Sequence, residues 1–332
     1  MKKYDVIIIG AGPAGLKCAE TLKDSGKSVL LLEKNKTIGP KVCGGGLTNF
    51  KEQFGLTEED VRSFKKQIFH TSKKRYEIKF FKNISIVDRD LLGKIMLSNI
   101  KDYPNINILT ETIVTKIEKD KVITNRGDFS FKYLVGADGA NSIVRRFLKL
   151  KTKFLLGLVY RIPKITNELE IFTNDKKIKE GYIWIFPHKT HSNIGIGFDP
   201  KKLSPAEARK ILEDFLEENH MSYSNCKLEG APLSVLYKGC IFGNIYLAGE
   251  AAGLTSRTSG EGIKPAVISG AEIAQKIINP KYELKELKKV MHIKKFQESF
   301  AFISNLFPSL KGFFFRLFIY LMKKKKFQKY FI

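Results

Sequence analysis

The stretch Tyr4 to Lys34, YDVIIIGAGPAGLKCAETLKDSGKSVLLLEK, decides the fold. Val6, Ile7, Ile8 and Ile9 form a short continuous run of β-branched residues, the pattern of a strand buried on both faces of a parallel sheet. Gly10, Gly12 and Gly15 then set the spacing GxGxxG. In that spacing the first glycine permits a tight turn, the second lets a pyrophosphate reach the backbone, and the third lets the next helix close on the strand. A helix is predicted from Pro13 to Ser25, its N-terminal amides facing the pyrophosphate. Ser28 to Leu32 reads as the second strand. Glu33 stands at its end, where a carboxylate can accept hydrogen bonds from ribose hydroxyls. Strand, glycine turn, helix, closing strand and acid follow one another, which favours a dinucleotide site over an ordinary glycine-rich turn.

A chain of 332 residues can bury a large core, and two closely joined domains are expected. An apolar content of 43% with 11 prolines excludes a disordered chain. Met1-Lys2-Lys3 runs directly into the first strand, whose apolar run is too short for a secretory signal. Cys18, Cys43, Cys226 and Cys240 have neither CxxC nor zinc-site spacing, so a reducing, cytoplasmic setting is expected. The formal net charge of +24 has three readings: biased base composition, an anionic membrane surface, or an acidic protein partner. No nucleic-acid motif accompanies the charge, so nucleic acid is not an expected partner.

Beyond Glu33, the loop Asn35 to Asn49 contains Lys41-Val42-Cys43-Gly44-Gly45-Gly46-Leu47. Adjacent glycines imply close backbone approach or unusual backbone angles, so this loop can pass beside a cofactor with Cys43 next to it. Cys43 also reads as a small buried hydrophobe. A helix from Thr57 to Lys66, and alternation such as Tyr76-Glu77-Ile78-Lys79-Phe80, make Phe50 to Ile86 an excursion that adds strands to a second domain. Asp88 to Tyr103 reads as a helix with Leu91, Leu92, Ile95, Met96 and Ile100 on one face. A short strand, Ile106 to Leu109, precedes a hairpin of Ile113 to Ile117 with Lys121 to Thr124, then Phe129 to Phe131. The run from Tyr133 to Ser142 leads a buried strand into a small-residue turn bearing Asp138, followed by a basic helix at Val144-Arg145-Arg146. That arrangement suits a second contact to the same dinucleotide at the sheet's carboxyl edge.

Strands are predicted at Leu155 to Ile162, Glu168 to Phe172, Tyr182 to Phe186 and Asn193 to Phe198, closed by a helix from Pro205 to Glu218. They form a curved sheet that can wall the cofactor. Gly243 to Gly253 repeats the pattern of strand, small turn and acid, and Gly260-Glu261-Gly262-Ile263 opens a helix running to about Ile278. Tyr182, Trp184 and Phe186 share one face of their strand, as a substrate wall or as an aromatic core stripe. His188 and His191 read as polar loop residues. Phe313 to Met322 is apolar, interrupted by Arg316, and shorter than the roughly 20 residues that span a bilayer. With Lys323 to Lys326 it reads as an interfacial helix with a polybasic end, or as a helix packed on the protein's own core.

These signals, in this order, resemble the p-hydroxybenzoate-hydroxylase-like flavoproteins, which bind FAD and include aromatic hydroxylases, halogenases and geranylgeranyl reductases. Ala19 and Gly26 match the extended opening motif, VGADGANSIVRR resembles the DG motif, and YLAGEAAG resembles the GD motif. Within the group, YxWxFP at Tyr182 to Pro187, the CGGG loop at Cys43 and TSGEGI at Thr258 to Ile263 are similar to the geranylgeranyl reductase family, whose members saturate isoprenoid double bonds. The resemblance implies an α/β fold: a Rossmann-like FAD-binding domain, an inserted antiparallel substrate sheet and a helical C-terminus. The expected divisions are residues 1–150 with the excursion at 50–86, then 151–236, 237–280 and 281–332.

It further implies that Gly10, Gly12, Ala14 and Gly15 hold the pyrophosphate and that Glu33 and Lys34 lie at the adenosine ribose. Gly44, Arg89, Asp138, Gly139, Gly249, Glu250, Gly253, Gly262 and Ile263 surround the rest of FAD. The group carries aspartate where Glu250 stands. Gly45, Tyr182, Trp184 and Phe186 would meet an isoprenoid lipid, with Cys43, Tyr182 and Trp184 at the chemistry and no metal. The electron donor would be NAD(P)H or a ferredoxin-like protein, and the location cytoplasmic, at the inner face of the membrane. Three other readings share the scaffold: a flavin monooxygenase or halogenase, an electron-transfer flavoprotein with an acidic partner, and a lipid-binding homologue without flavin, to which Glu250 points.

Overall fold

The computed structural model describes residues 1–48, 51–72, 74–173, 177–179, 181–306 and 311–328. Strand β1 (Lys2–Ile9) and helix α1 (Pro13–Leu22) lead to β2 (Val29–Leu32), β3 (Gly46–Thr48), β4 (Arg62–His70) and β5 (Arg75–Ile86). Next come α2 (Arg89–Ser98), β6 (Ile106–Leu109), β7 (Val114–Ile117), β8 (Lys121–Thr124), β9 (Gly127–Gly136) and α3 (Ile143–Phe147). The middle of the chain forms β10 (Phe154–Ile162), β11 (Glu170–Phe172), β12 (Tyr182–Pro187), β13 (Ser192–Phe198) and α4 (Pro205–Glu218). Then follow β14 (Leu228–Ser234), β15 (Ile241–Phe242), β16 (Ile245–Leu247), α5 (Ile263–Ile278), α6 (Lys285–Leu306), α7 (Lys311–Met322) and α8 (Lys325–Gln328).

The first sheet runs β15-β16-β9-β1-β2-β6, with β8 joined to β9 and β7 to β8. From β16 through β6 its pairs are parallel. Its centre, Val6 to Ile8 and Val29 to Leu31, has no exposed surface, as the continuous β-branched and leucine runs require. The second sheet runs β14-β10-β13-β12-β11-β4-β5-β3 and is antiparallel except where β11 meets β4. Helix α4 covers one face of it: Ala208, Leu212 and Leu216 pack with Ile183, Ile185, Ile194, Ile196 and Phe198. Ser204 and Glu207 cap that helix reciprocally, which explains its sharp start. With Ile183 and Ile185 committed to α4, the alternate residues Tyr182, Trp184 and Phe186 fall on the opposite, half-buried face of β12.

The expected helix at Thr57 to Lys66 does not form; a turn leads into β4 instead. The pairing of β4 with β5 shifts register between Phe64 and Lys66. The extra residues lie on β5, between Lys79 and Ile84; along β4 the buried Phe64 and Ile68 stand at positions i and i+4, a spacing that strand and helix share, which disguised the strand. Helices α1 and α2 stop short of Ser25 and Tyr103, Phe129 to Phe131 belongs to the longer β9, and the strand expected from Glu168 begins at Glu170. Asn49 and Phe50 lie outside the described residues.

The C-terminal helix is packed on the protein's own core along one face. Phe315, Phe318, Ile319 and Met322 meet Phe69, Tyr76, Ile78 and Phe80 of β4 and β5. Gln328 fastens α8 to the same sheet, accepting from the Phe81 amide at 3.0 Å and donating to the Lys79 carbonyl at 2.7 Å. Among the described residues, no helix is long and apolar enough to cross a membrane.

Candidate active site

The glycine turn after β1 has the geometry its spacing predicts. Gly10 adopts a φ of +99°, and a Cβ there would lie 2.5 Å from the Ala137 carbonyl oxygen. A Cβ at Gly15 would overlap the carbonyl oxygen of Gly10, so α1 seats against the turn only with glycine at this position. At Gly12, by contrast, an added Cβ meets nothing within 4 Å. Glu33 is held at the end of β2 by the Ala11 amide, which donates to Oε2 at 2.8 Å, and by the Asn35 amide, which donates to Oε1 at 2.9 Å. Lys34 next to it is exposed. Helix α5 packs on α1 so closely that a Cβ at Gly270 would overlap the Ala14 carbonyl, and Gly249 fits between Ala14 and Ala266. The helix caps, Gly12 for α1 and Gly262 for α5, have no side-chain cap, so the amides that follow, including that of Ile263, are available to an anion.

Ser142 caps α3, and Asp138 accepts from the Ile143 amide at the start of that helix at 2.6 Å through Oδ2. Its Oδ1 is buried without a partner, and burial raises the carboxyl above its ordinary range. Arg145 is fully buried and binds main-chain oxygens of Ala251 at 3.0 Å, Lys151 at 2.5 Å and Leu236 at 2.6 Å. It thereby ties α3 to the turn Gly249–Ala252 that carries Glu250, a role its place in a basic run did not reveal. Gly253, at φ +77°, closes that turn against Leu236. Arg145→Leu is expected to destabilise the fold by about 3–5 kcal/mol by stranding those carbonyls, a loss that a melting curve will register.

Glu250 Oε2 accepts from Lys41 Nζ at 2.6 Å, and a Cβ on Gly139 would lie 3.8 Å from the same oxygen. The loop leading to Cys43, the turn after Asp138 and the turn after β16 therefore converge on one carboxylate.

The Cys43 loop lies on the aromatic face of β12. A Cβ at Gly44 would stand 2.7 Å from the Phe186 ring and 3.6 Å from Trp184 Nε1. The Tyr182 and Trp184 centroids are 6.1 Å apart and those of Trp184 and Phe186 6.4 Å apart. Gly195 on β13 and Gly157 on β10 make room for the indole, and a Cβ at Gly195 would overlap it. The Tyr182 hydroxyl donates to the Ser259 carbonyl at 2.7 Å, and Gly260, at φ +70°, passes directly beside it. Helix α6 braces that loop from behind: Lys294 donates to the Thr255 carbonyl at 2.7 Å and Ser256 to Gln297 at 2.6 Å. Cys43 is partly buried, and its Sγ accepts from the Gly45 amide at 3.4 Å. Burial, and the nearby Cys43, raise the Tyr182 hydroxyl above its ordinary range.

His188 and His191 lie in the loop between β12 and β13, as expected, but are buried there. They are 2% and 6% exposed, with rings stacked at 4.5 Å. Burial, then the neighbouring His188, lowers His191 to about 4, so it is neutral. Asp88 stands beside both, 3.2 Å from His188 Nδ1 and 3.7 Å from His191 Nε2, and the His188 ring holds its carboxyl below the usual range. A signal for this pairing was present in the sequence: the residues flank a short turn between strands, where positions i and i+3 meet, and the His188 amide donates to the His191 carbonyl at 2.8 Å. The next residue after Asp88, Arg89, opens α2 with its Nε buried and unpartnered. Gly39 and Gly93 let the loop after β2 rest on that helix.

The model of the FAD dependent oxidoreductases matches residues 5–130, and that of the geranylgeranyl reductase catalytic domain matches residues 158–230. An uncharacterized protein of Methanosarcina barkeri is 33% identical over 301 residues, 83% of this chain and 75% of its own length. The chain belongs to the geranylgeranyl reductase family of FAD-dependent oxidoreductases. A second relative, digeranylgeranylglycerophospholipid reductase 3 of Methanosphaera stadtmanae, is 28% identical over 325 residues, 87% of this chain and 81% of that protein. A geranylgeranyl bacteriochlorophyll reductase-like protein of Thermoplasma acidophilum shares the fold at 20% identity, with a TM-score of 0.79 over 98% of this chain and 92% of that one. As a geranylgeranyl reductase family member, the protein uses FAD. The open space at Gly12, the uncapped amides of α1 and α5, and the buried orphans Asp138 Oδ1 and Arg89 Nε suit that cofactor.

Proposed function

We propose that this protein saturates carbon–carbon double bonds in the geranylgeranyl chains of a glycerophospholipid. The observation that carries the reading is the aromatic face Tyr182, Trp184 and Phe186, laid against the Cys43 loop and bordered by the loop that opens α5. The curated relative named for digeranylgeranylglycerophospholipid reduction supports the substrate class.

An isolated alkene has no carbonyl to polarise, so attack on it needs help from its surroundings. Bound FAD, once reduced, supplies a hydride equivalent to one alkene carbon. The Cys43 thiol donates its proton to the other alkene carbon. The aromatic faces hold the chain and ease the positive charge that this protonation develops at the carbon taking the hydride, worth roughly 0.5–2 kcal/mol. The Gly45 amide faces the resulting thiolate, and solvent restores the thiol. In this reading Gly10, Gly12, Ala14 and Gly15 cradle the pyrophosphate, with Glu33 and Lys34 at the ribose. Arg89, Asp138, Gly139, Gly249, Glu250, Gly253, Gly262, Ile263 and Gly44 line the remainder, while Gly45 borders the substrate. The first sheet serves as the FAD domain and the second as the substrate domain, with α6 to α8 as a helical cap.

The donor in this reading is NAD(P)H or a ferredoxin-like protein. The charge of +24 offers the latter a complementary surface. The same charge suits an anionic membrane, where lipid substrate resides. Phe302, Ile303 and Leu306 of α6 with Phe313 and Tyr320 of α7 are exposed large apolar side chains beside the lysine run. The protein is therefore expected to sediment with anionic vesicles at low salt. Since α7 also forms core, point changes are a cleaner test than truncation at Ser309, which lies outside the described residues. Lys323→Glu with Lys324→Glu is expected to weaken binding by about 1 kcal/mol or more per site.

To test the activity, the FAD-loaded protein is incubated with a chemical reductant and a digeranylgeranyl glycerophospholipid, and the lipid is weighed by mass spectrometry. A stepwise gain of hydrogen pairs supports the reading; an unchanged lipid, or one that has gained oxygen, refutes it.

A further inference from the structure

We propose that Asp88, His188 and Asn193 form a polar relay that sets the position of the Cys43 loop, with His188 as the positioning residue. Its functional meaning rests on the reading of Cys43 as proton donor. Asn193 is 5% exposed on β13, and its Nδ2 donates to the Cys43 carbonyl at 3.0 Å. That contact fixes the amide, because the opposite orientation would set its oxygen against the carbonyl oxygen. The same Nδ2 lies 2.9 Å from His188 Nε2. His188 Nε2 thus stands within hydrogen-bond distance of both the Asn193 amide and the Gly44 carbonyl.

Asp88 Oδ1 lies 3.2 Å from His188 Nδ1, off the line of an aligned hydrogen bond, so that contact is one of charge and proximity. The Gly44 carbonyl oxygen lies 3.1 Å from Nε2, at hydrogen-bond distance from the ring. Gly45, at φ +80°, lies on the ring so directly that a Cβ would stand 2.7 Å from His188 Cε1. The imidazole is therefore a wedge beneath the glycine loop, oriented from one side by Asp88 and from the other by Asn193.

His191 Nε2, at 3.7 Å from the same Asp88 oxygen, gives the cluster the donor set of a divalent metal site as well.

The test uses FAD-loaded Asn193→Leu, Asp88→Leu and Asp88→Asn. Two quantities are followed: the rate at which iodoacetamide alkylates Cys43, located by peptide mass, and kcat and KM separately. The leucine variants are expected to change the alkylation rate and lower kcat by about ten-fold each, the scale of one lost hydrogen bond, with KM unchanged. Asp88→Asn keeps a polar side chain of the same shape beside Nδ1 and is expected to restore both. Should Asn193→Leu fail to retain flavin, Asp88→Leu poses the same question from the half-buried end of the relay.

Unchanged alkylation and kcat in the leucine variants would overturn the proposal. So would one equivalent of zinc in the purified protein that is lost in Asp88→Leu. Alkylation reports loop position alone, so it still decides the relay if Cys43 proves dispensable to turnover.

Discussion

Cys43→Ser is expected to lower kcat about 10²–10⁴-fold while FAD content and KM stay near those of the parent. Serine preserves the side chain's shape and can still face the Gly45 amide, 3.4 Å from Sγ in the parent. What it removes is acidity: a hydroxyl is a far weaker proton donor than a thiol. The loop itself is anchored elsewhere, through the Cys43 carbonyl on Asn193 and the glycines on Phe186 and His188, so the substitution leaves its course intact. Steady-state turnover, with flavin absorbance to confirm loading, measures the effect. Undiminished turnover would remove Cys43 from the mechanism.

Gly12→Val separates cofactor binding from folding. The backbone at Gly12 is ordinary extended chain, φ −77° and ψ −178°, and an added Cβ meets no atom within 4 Å. Nothing in the protein requires glycine there, unlike Gly15, where a Cβ would overlap the Gly10 carbonyl. The requirement comes from a group that must approach the backbone. The valine variant is therefore expected to fold with the parent's circular dichroism yet lose about 1–3 kcal/mol of FAD affinity, a ten- to hundred-fold weakening. Equilibrium titration of the apoprotein with FAD measures it; parental affinity would mean that the pyrophosphate lies elsewhere.

The parts of the fold that were legible in sequence are those where one local rule decides. The β-branched run and glycine spacing around Gly10 fixed a buried strand, a turn and a helix, because Gly10 and Gly15 each meet a steric limit of their own. Helix α4 was legible to the residue, since Ser204, Pro205 and Glu207 form a complete start signal. The alternation of β12 placed Tyr182, Trp184 and Phe186 together because strand periodicity is rigid.

What could not be read depends on partners distant in the chain. Strand β4 is fixed by its pairing with β5 and β11, neither of which is local, and its own apolar spacing reads equally as a helix. His188 and His191 look polar in isolation; the Cys43 loop and Asp88, far off in sequence, bury them. Arg145 looks like one more basic residue until the carbonyls of Ala251, Lys151 and Leu236 close around it. The spacing of Phe315, Phe318, Ile319 and Met322 marks an apolar face, but only the presence of Ile78 opposite tells what covers it.

The central claim is that an isoprenoid lipid takes its electrons from the flavin of this protein. Its most direct test is anaerobic: the FAD-loaded protein is photoreduced, a digeranylgeranyl glycerophospholipid is added, and the flavin absorbance is followed. Return of the oxidised spectrum in the absence of oxygen, in proportion to the lipid supplied, is the predicted result. A flavin that stays reduced with lipid present and reoxidises only when air is admitted would contradict it and point to oxygen chemistry on the same scaffold.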